Sequence, residues 1–154
     1  MGTKFSTRIW VSVVGIASIF FGSKGYADTV ISVADFGLKP DTRENAVAYV
    51  QKAIEACRGK EPVTLVFPEG RYDFWPQYAH EKNYYETNTY DVFPKRLAML
   101  FEGLHNITVD GNGSQFVMHD RIQPITVENC DGVTLKNFSI DWDIPLTAQA
   151  RVTK

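Results

Sequence analysis

The sequence predicts an all-β chain that winds as a solenoid of short strands behind a single helix. Three observations predict it. Short β-branched and aromatic runs follow one another at close intervals from Leu97 onward, with Gly, Asn or Asp between most of them. A stretch of the chain matches itself after a shift of 26 residues. One segment, ending near Cys57, carries its apolar residues at helical spacing. The 154 residues are 44% hydrophobic and 22% charged, enough for one domain with a core and too apolar for a disordered chain. Two cysteines exclude a disulfide scaffold. Sixteen Lys+Arg against eighteen Asp+Glu, with no basic run, exclude the dense positive patch of a nucleic-acid binder.

Residues 1–27 read as a signal peptide. Lys4 and Arg8 form a basic head, Ile9–Phe21 is an uncharged apolar stretch, and Gly25-Tyr26-Ala27 places small residues where a signal peptidase cuts. The apolar stretch is shorter than the roughly 20 residues of a membrane span, although an uncleaved N-terminal anchor is the alternative. Cleavage predicts an exported chain, periplasmic or secreted and free of the membrane, starting at Asp28. Without Lys4, Arg8 and Lys24, thirteen basic residues face eighteen acidic ones, a net charge of about −5. Export permits a Cys57–Cys130 disulfide, and two free thiols are the other reading.

The predicted elements then run in order. A strand Val30–Val33 leads into a turn-rich stretch ending at Pro40-Asp41. Asp41 or Thr42 can cap a helix whose apolar positions are Ala46, Val47, Val50, Ala53, Ile54 and Cys57, and Gly59 ends it. Val63–Phe67 is a second strand, closed by Pro68-Glu69-Gly70, and Tyr72, Phe74 and Trp75 continue extended. Residues Pro76–Asn88 break the pattern as a polar, aromatic-rich excursion, a loop size that is usually functional. Strands follow at Leu97–Phe101, Ile107–Val109, Gln115–Met118, Ile125–Val127, Val133–Leu135 and Phe138–Ile140. Under the 26-residue shift Phe101–Gly111 falls on Val127–Asn137, with Glu102 on Glu128 and Thr108 on Thr134. A period of that size, with Asn/Gly turns, suits one coil per repeat, each coil burying its face on the next. Consecutive hairpins compete with this reading, but a meander has no reason to keep a constant period.

Several pieces carry a family resemblance: Val33-Ala34-Asp35-Phe36-Gly37, Asp41-Thr42, the Val50–Cys57 helix, and Val66-Phe67-Pro68-Glu69-Gly70-Arg71-Tyr72. Their order resembles the N-terminal portion of carbohydrate-active proteins of the pectate-lyase and polygalacturonase architecture. The resemblance implies a right-handed parallel β-helix whose N-terminal α-helix caps the open end. Later stretches narrow it: Asp91–Leu97, Gln123–Val127 and the block Lys136–Ala150, with Phe138-Ser139-Ile140-Asp141-Trp142-Asp143-Ile144-Pro145 at its centre. These resemble the exo-acting α-1,3-galactosidases of Bacteroides-type bacteria, glycoside hydrolases that remove terminal galactose from glycans. That resemblance implies an inverting mechanism without metal or other cofactor, and a glycan as the partner. Members of such families are several times longer, and this chain stops at Arg151-Val152-Thr153-Lys154 in what reads as a strand. The expectation is an N-terminal fragment, residues 28–154 holding the cap and first coils, inactive alone.

Asp141 and Asp143 are the sharpest pair of acids. Alternate residues of a strand share a face, and two strand residues separate backbones by roughly 6.5–7 Å. Carboxyl separations of about 6.5–9.5 Å suit inverting glycosidases. Two solvated acids at a strand end are the other reading, and the resemblance implies catalytic carboxylates beyond Lys154. His119 and Arg121, around Asp120, are candidates for binding sugar hydroxyls or members of a polar turn. Trp75, Tyr78, Tyr84, Tyr85 and Tyr90 are candidates for stacking on sugar rings or for packing the excursion down. Asp110-Gly111-Asn112-Gly113 reads as a tight turn, lacking the ligand spacing of a calcium loop. Asn106 and Asn129 read as structural residues at bends. No zinc, acyl-transfer or phosphate-loop motif is present. Two alternatives stay open: a lyase or polygalacturonase relative acting on acidic glycans, and a non-catalytic carbohydrate-binding solenoid.

Overall fold

A computed structural model of the chain describes residues 29–83 and 93–147. The segment read as a signal peptide, together with Tyr84, Tyr85 and Tyr90, lies outside the described residues. Strand β1 (Thr29–Ser32) runs into a 3₁₀ turn, Val33–Phe36, capped by Ser32, whose hydroxyl accepts from Ala34 N at 3.2 Å. Helix α1 (Val47–Cys57) follows, then β2 (Val63–Val66), β3 (Arg71–Phe74), β4 (His80–Lys82), β5 (Lys95–Glu102), β6 (His105–Met118), β7 (Gln123–Glu128) and β8 (Asp131–Trp142).

The helix starts later than its expected caps at Asp41 and Thr42. Asp41 instead ties the turn to β3: its N–H donates to Arg71 O and its carboxylate accepts from Arg71 N, both at 2.9 Å. Val47, Val50, Ala53, Ile54 and Cys57 form the buried stripe of α1, at the spacing of one helical face.

The strands form two sheets. The larger has five strands, in the order β1-β2-β6-β3 with β8 also on β6, and all of its pairings are parallel. The smaller is mixed: β4 runs antiparallel to β5, and β5 runs parallel to β7. The expected right-handed parallel β-helix is therefore corrected. The described residues form two sheets and one helix, with no closed coil or solenoid.

The physical reason lies in the bends. The stretches expected as separate strands, Ile107–Val109 with Gln115–Met118 and Val133–Leu135 with Phe138–Ile140, are each one long strand. At Asp110–Gly113 the chain kinks through Asn112 (φ 49°) and Gly113 (φ 85°), and the register with β8 shifts there. An Asp110 carboxylate accepting from Asn112 N at 3.0 Å holds the kink, so pairing resumes on the far side. One β6 thus serves β2 with its first half and β3 with its second.

Partners in the β5–β7 pair and in the first half of β6–β8 are 26 residues apart, Leu97 with Gln123 and Ile107 with Val133. The bends superposed by that shift share a left-handed backbone: Gly103 (φ 63°) with Asn129 (φ 52°), and Asn106 (φ 48°) with Gly132 (φ 70°). Only Gly, Asn and Asp visit that region at little cost, which is why these types stand there. Beneath the sheets lies an aromatic core, with Phe116 in contact with Phe67 (centroids 4.7 Å), Phe138 (4.8 Å), Phe74 (5.6 Å) and Tyr72 (6.2 Å).

Candidate functional site

Strands β3, β6 and β8 end side by side, and the ladder continues one step past them. His119 N donates to Phe74 O at 2.9 Å, and Asp143 N donates to Met118 O at 3.0 Å. That step gathers side chains 72 residues apart in sequence. Arg71 forks onto Asp73, with Nη2 to Oδ1 at 2.6 Å and Nε to Oδ2 at 2.9 Å. Nε2 of His119 lies 2.7 Å from Oδ1 of Asp73. Arg71 Nη2 also reaches Asp143 Oδ1 at 3.1 Å, and His119 Nδ1 stands 3.9 Å from Asp143 Oδ2.

Burial divides the acids. The Asp73 side chain is 0% exposed and that of Asp143 39%. Burial pushes the Asp73 carboxyl upward, but hydrogen bonds from Arg71 and His119 outweigh it and hold the group below the usual carboxylate range. The same bond to Asp73 raises Arg71 above its ordinary value. Trp75 stacks on His119, ring centroids 3.9 Å apart and planes 5° from parallel. The imidazole is thus held on a face and an edge, and Asp143 is the acid of the cluster that reaches water.

The sequence candidates meet this site unevenly. Asp143 and His119 are in it. Asp141 is exposed and turns back on its own strand, accepting from Trp142 N at 2.8 Å, so the structure separates the tasks of the two acids. Arg121 is exposed past the end of β6. Trp75 is half-buried on His119, and Tyr78 is exposed at the excursion's start, where its carbonyl accepts from Gln51 Nε2 at 2.9 Å. Tyr84 and Tyr85 lie outside the described residues.

Sequence reading missed Arg71, Asp73 and Asn45. The signal for the first two was present: Arg71 and Asp73 are alternate residues of a strand and so share a face, opposite the apolar Tyr72 and Phe74. Asn45 ties the site to the helix. Its Oδ1 accepts from Val47 N and Trp75 N, both at 3.2 Å, and its Nδ2 donates to Gln77 O at 2.8 Å.

Beside the cluster opens a cleft of about 490 Å³ bordered by Arg43, Asn45, Trp75, Gln77, Arg96 and Asp120. No group of three or more His, Cys, Asp or Glu side chains placed to hold a metal occurs among the described residues. Both cysteines are free, Cys57 buried and Cys130 half-buried.

No protein-family model matches the chain. The curated proteins it matches include several named α-1,3-galactosidases. The chain is homologous to the bacterial α-1,3-galactosidases. It is 63% identical over 128 residues, 83% of its length, to α-1,3-galactosidase B of Bacteroides thetaiotaomicron. It is 40% identical over 122 residues (79% of its length) to α-1,3-galactosidase A of Shewanella woodyi, and 36% identical over 148 residues (94%) to an α-1,3-galactosidase B of Phocaeicola vulgatus. These matches take in 21%, 20% and 23% of the relatives, so the chain spans about a fifth of their length.

Proposed function

We propose that this chain is the N-terminal part of an exported glycoside hydrolase that removes terminal α-1,3-linked galactose from glycans. The observation that carries the reading is the 63% identity over 128 residues, 83% of the chain, to a protein named α-1,3-galactosidase B. The hydrolysis inverts the anomeric centre and uses no metal. One carboxylic acid protonates the leaving oxygen while a carboxylate activates water on the opposite face of the ring. Those acids lie beyond Lys154, and the chain by itself releases no galactose. Within the chain, the Arg71–Asp73–His119–Asp143 cluster ties together the ends of β3, β6 and β8.

The test incubates an α-1,3-galactosyl disaccharide with purified residues 28–154, and separately with the product of the gene including any coding sequence that continues in frame. Free galactose is expected only from the longer protein, appearing first as the β-anomer by proton NMR, with an unchanged rate in EDTA. Release by residues 28–154 alone would overturn the fragment reading. The α-anomer appearing first would overturn inversion. Mass spectrometry of the exported protein should find Asp28 at its amino terminus.

A further inference from the structure

The cleft beside Trp75 lies next to the cluster but has a different composition. It brings together one aromatic ring, two guanidinium groups, one carboxylate and backbone-anchored amides, in a volume of about 490 Å³. Volumes of this order suit one or two sugar-sized rings. One wall, at Trp75 and Asn45, is held in place before any ligand arrives. The Trp75 ring is fixed by its stack on His119, its backbone N–H donates to Asn45 Oδ1, and Asn45 Nδ2 fixes the chain at Gln77. A pre-set aromatic platform loses little freedom on binding.

Charge distinguishes what fits. Arg96 is partly satisfied by Glu81, its Nε 3.4 Å from Oε1. Asp120 supplies one negative charge on the border of the cleft. Arg43 is exposed and has no ion pair among the described residues, although its backbone is held in the left-handed region at φ 58°. That conformation is costly for an arginine, so the side chain is presented from a turn that the surrounding hydrogen bonds impose. Thr42 in the same turn donates to Lys39 O at 3.2 Å and accepts from Glu44 N at 3.4 Å. A guanidinium without a carboxylate partner, beside an aromatic ring, matches a ligand with an apolar ring face and an anionic substituent.

We propose that this cleft binds a pyranose bearing an acidic group, with Trp75 against the ring and Arg43 on the anion. The choice of a sugar rests on the glycosidase reading above; the preference for an acidic one rests on Arg43. A carboxylate and a sulfate ester share the recognised chemistry, and both belong in the test.

The probes are galacturonic acid, galactose 6-sulfate and galactose, titrated into the 154-residue chain and followed by saturation-transfer NMR and by tryptophan fluorescence. Both acidic sugars are expected to bind at least about fivefold more tightly than galactose. Arg43→Gln should abolish that preference without altering the circular dichroism spectrum. Trp75→Phe should weaken all three sugars together, since it keeps a ring but reduces the platform. Equal binding of galactose and galacturonic acid, an undiminished preference in Arg43→Gln, or no binding of any probe at millimolar concentration would each overturn the proposal. None of these outcomes bears on galactose release by the longer protein, so failure here and failure of the hydrolase reading are separable.

Discussion

Asp73→Asn isolates what the buried carboxylate contributes. The substitution keeps the shape of the side chain and one carbonyl acceptor but removes the charge that Arg71 forks onto and His119 approaches. Removing one partner of a buried ion pair costs about 3–5 kcal/mol, because the other charge stays behind without compensation. Here the remaining cation is Arg71, whose side chain is 24% exposed and keeps Asp143 at 3.1 Å. Those two facts set the expectation at the lower end, about 3 kcal/mol. With a urea slope of about 1.5 kcal/mol/M for a small domain, the unfolding midpoint should fall by about 2 M. Circular dichroism of the chain in urea reads it directly. The pH dependence follows from the lowered folded-state pKa. The carboxylate stabilises the fold above the unfolded value near 3.8, and that stability is lost as pH falls through the folded value. The gap between the natural chain and the variant should therefore be full at pH 5–7 and narrow below about pH 4. A midpoint shift under about 0.5 M at neutral pH would refute the reasoning, because it would mean that water supports Arg71 and His119 equally well.

Four further outcomes follow from the packing. Phe116→Ala removes the ring that touches Phe67, Phe74, Tyr72 and Phe138, and should cost about 3–5 kcal/mol in chemical denaturation. Gly111→Ala would place a Cβ 2.5 Å from the Phe138 Cβ and 2.7 Å from Asn137 O, so β6 and β8 must part there. A loss of about 1–3 kcal/mol, read as a lower melting temperature, is expected. Asp141→Asn, on an exposed residue bonded only to its neighbour's N–H, should stay within about 0.5 kcal/mol and serves as the contrast. Iodoacetamide at pH 8 should label Cys130 well before Cys57, whose thiol is buried, bonded to Ala53 O at 3.2 Å and pushed by that burial up to about 11. Labelling of Cys57 first, by peptide mass spectrometry, would contradict the packing of α1.

Local chemistry made most elements legible. The helix stripe from Val47 to Cys57 and the β-branched runs at Val63–Val66 and Gln123–Glu128 follow from side-chain spacing alone. The bends were legible too, since Asn106, Asn112 and Asn129 mark left-handed backbone that other residue types avoid. Whether a bend ends a strand was not legible. The Asp110–Gly113 signal reads locally as a turn, yet the Asp110 carboxylate, held by Asn137 Nδ2 at 2.9 Å and Lys136 Nζ at 3.3 Å on β8, keeps both sides of the kink in one strand. Those partners become neighbours only when the sheet forms.

The same limit separates the sites. Asp141 and Asp143 looked alike in sequence because alternation puts both on one face. Only the packed structure brings Arg71 from β3 beside Asp143 and leaves Asp141 on its own backbone. The Lys82 ammonium, which bonds both Glu102 and Glu128 and is raised above its ordinary value by them, likewise depends on a pairing of β5 with β7 that no local rule specifies. By itself the sequence determined the element types, the left-handed bends and the kinship with α-1,3-galactosidases, since each is written in neighbouring residue types or in identity along the chain. The tertiary structure alone decided the two-sheet arrangement, the burial of Asp73 and the cleft at Trp75. These arise from contacts between residues tens of positions apart, where chain geometry rather than local preference sets which groups meet.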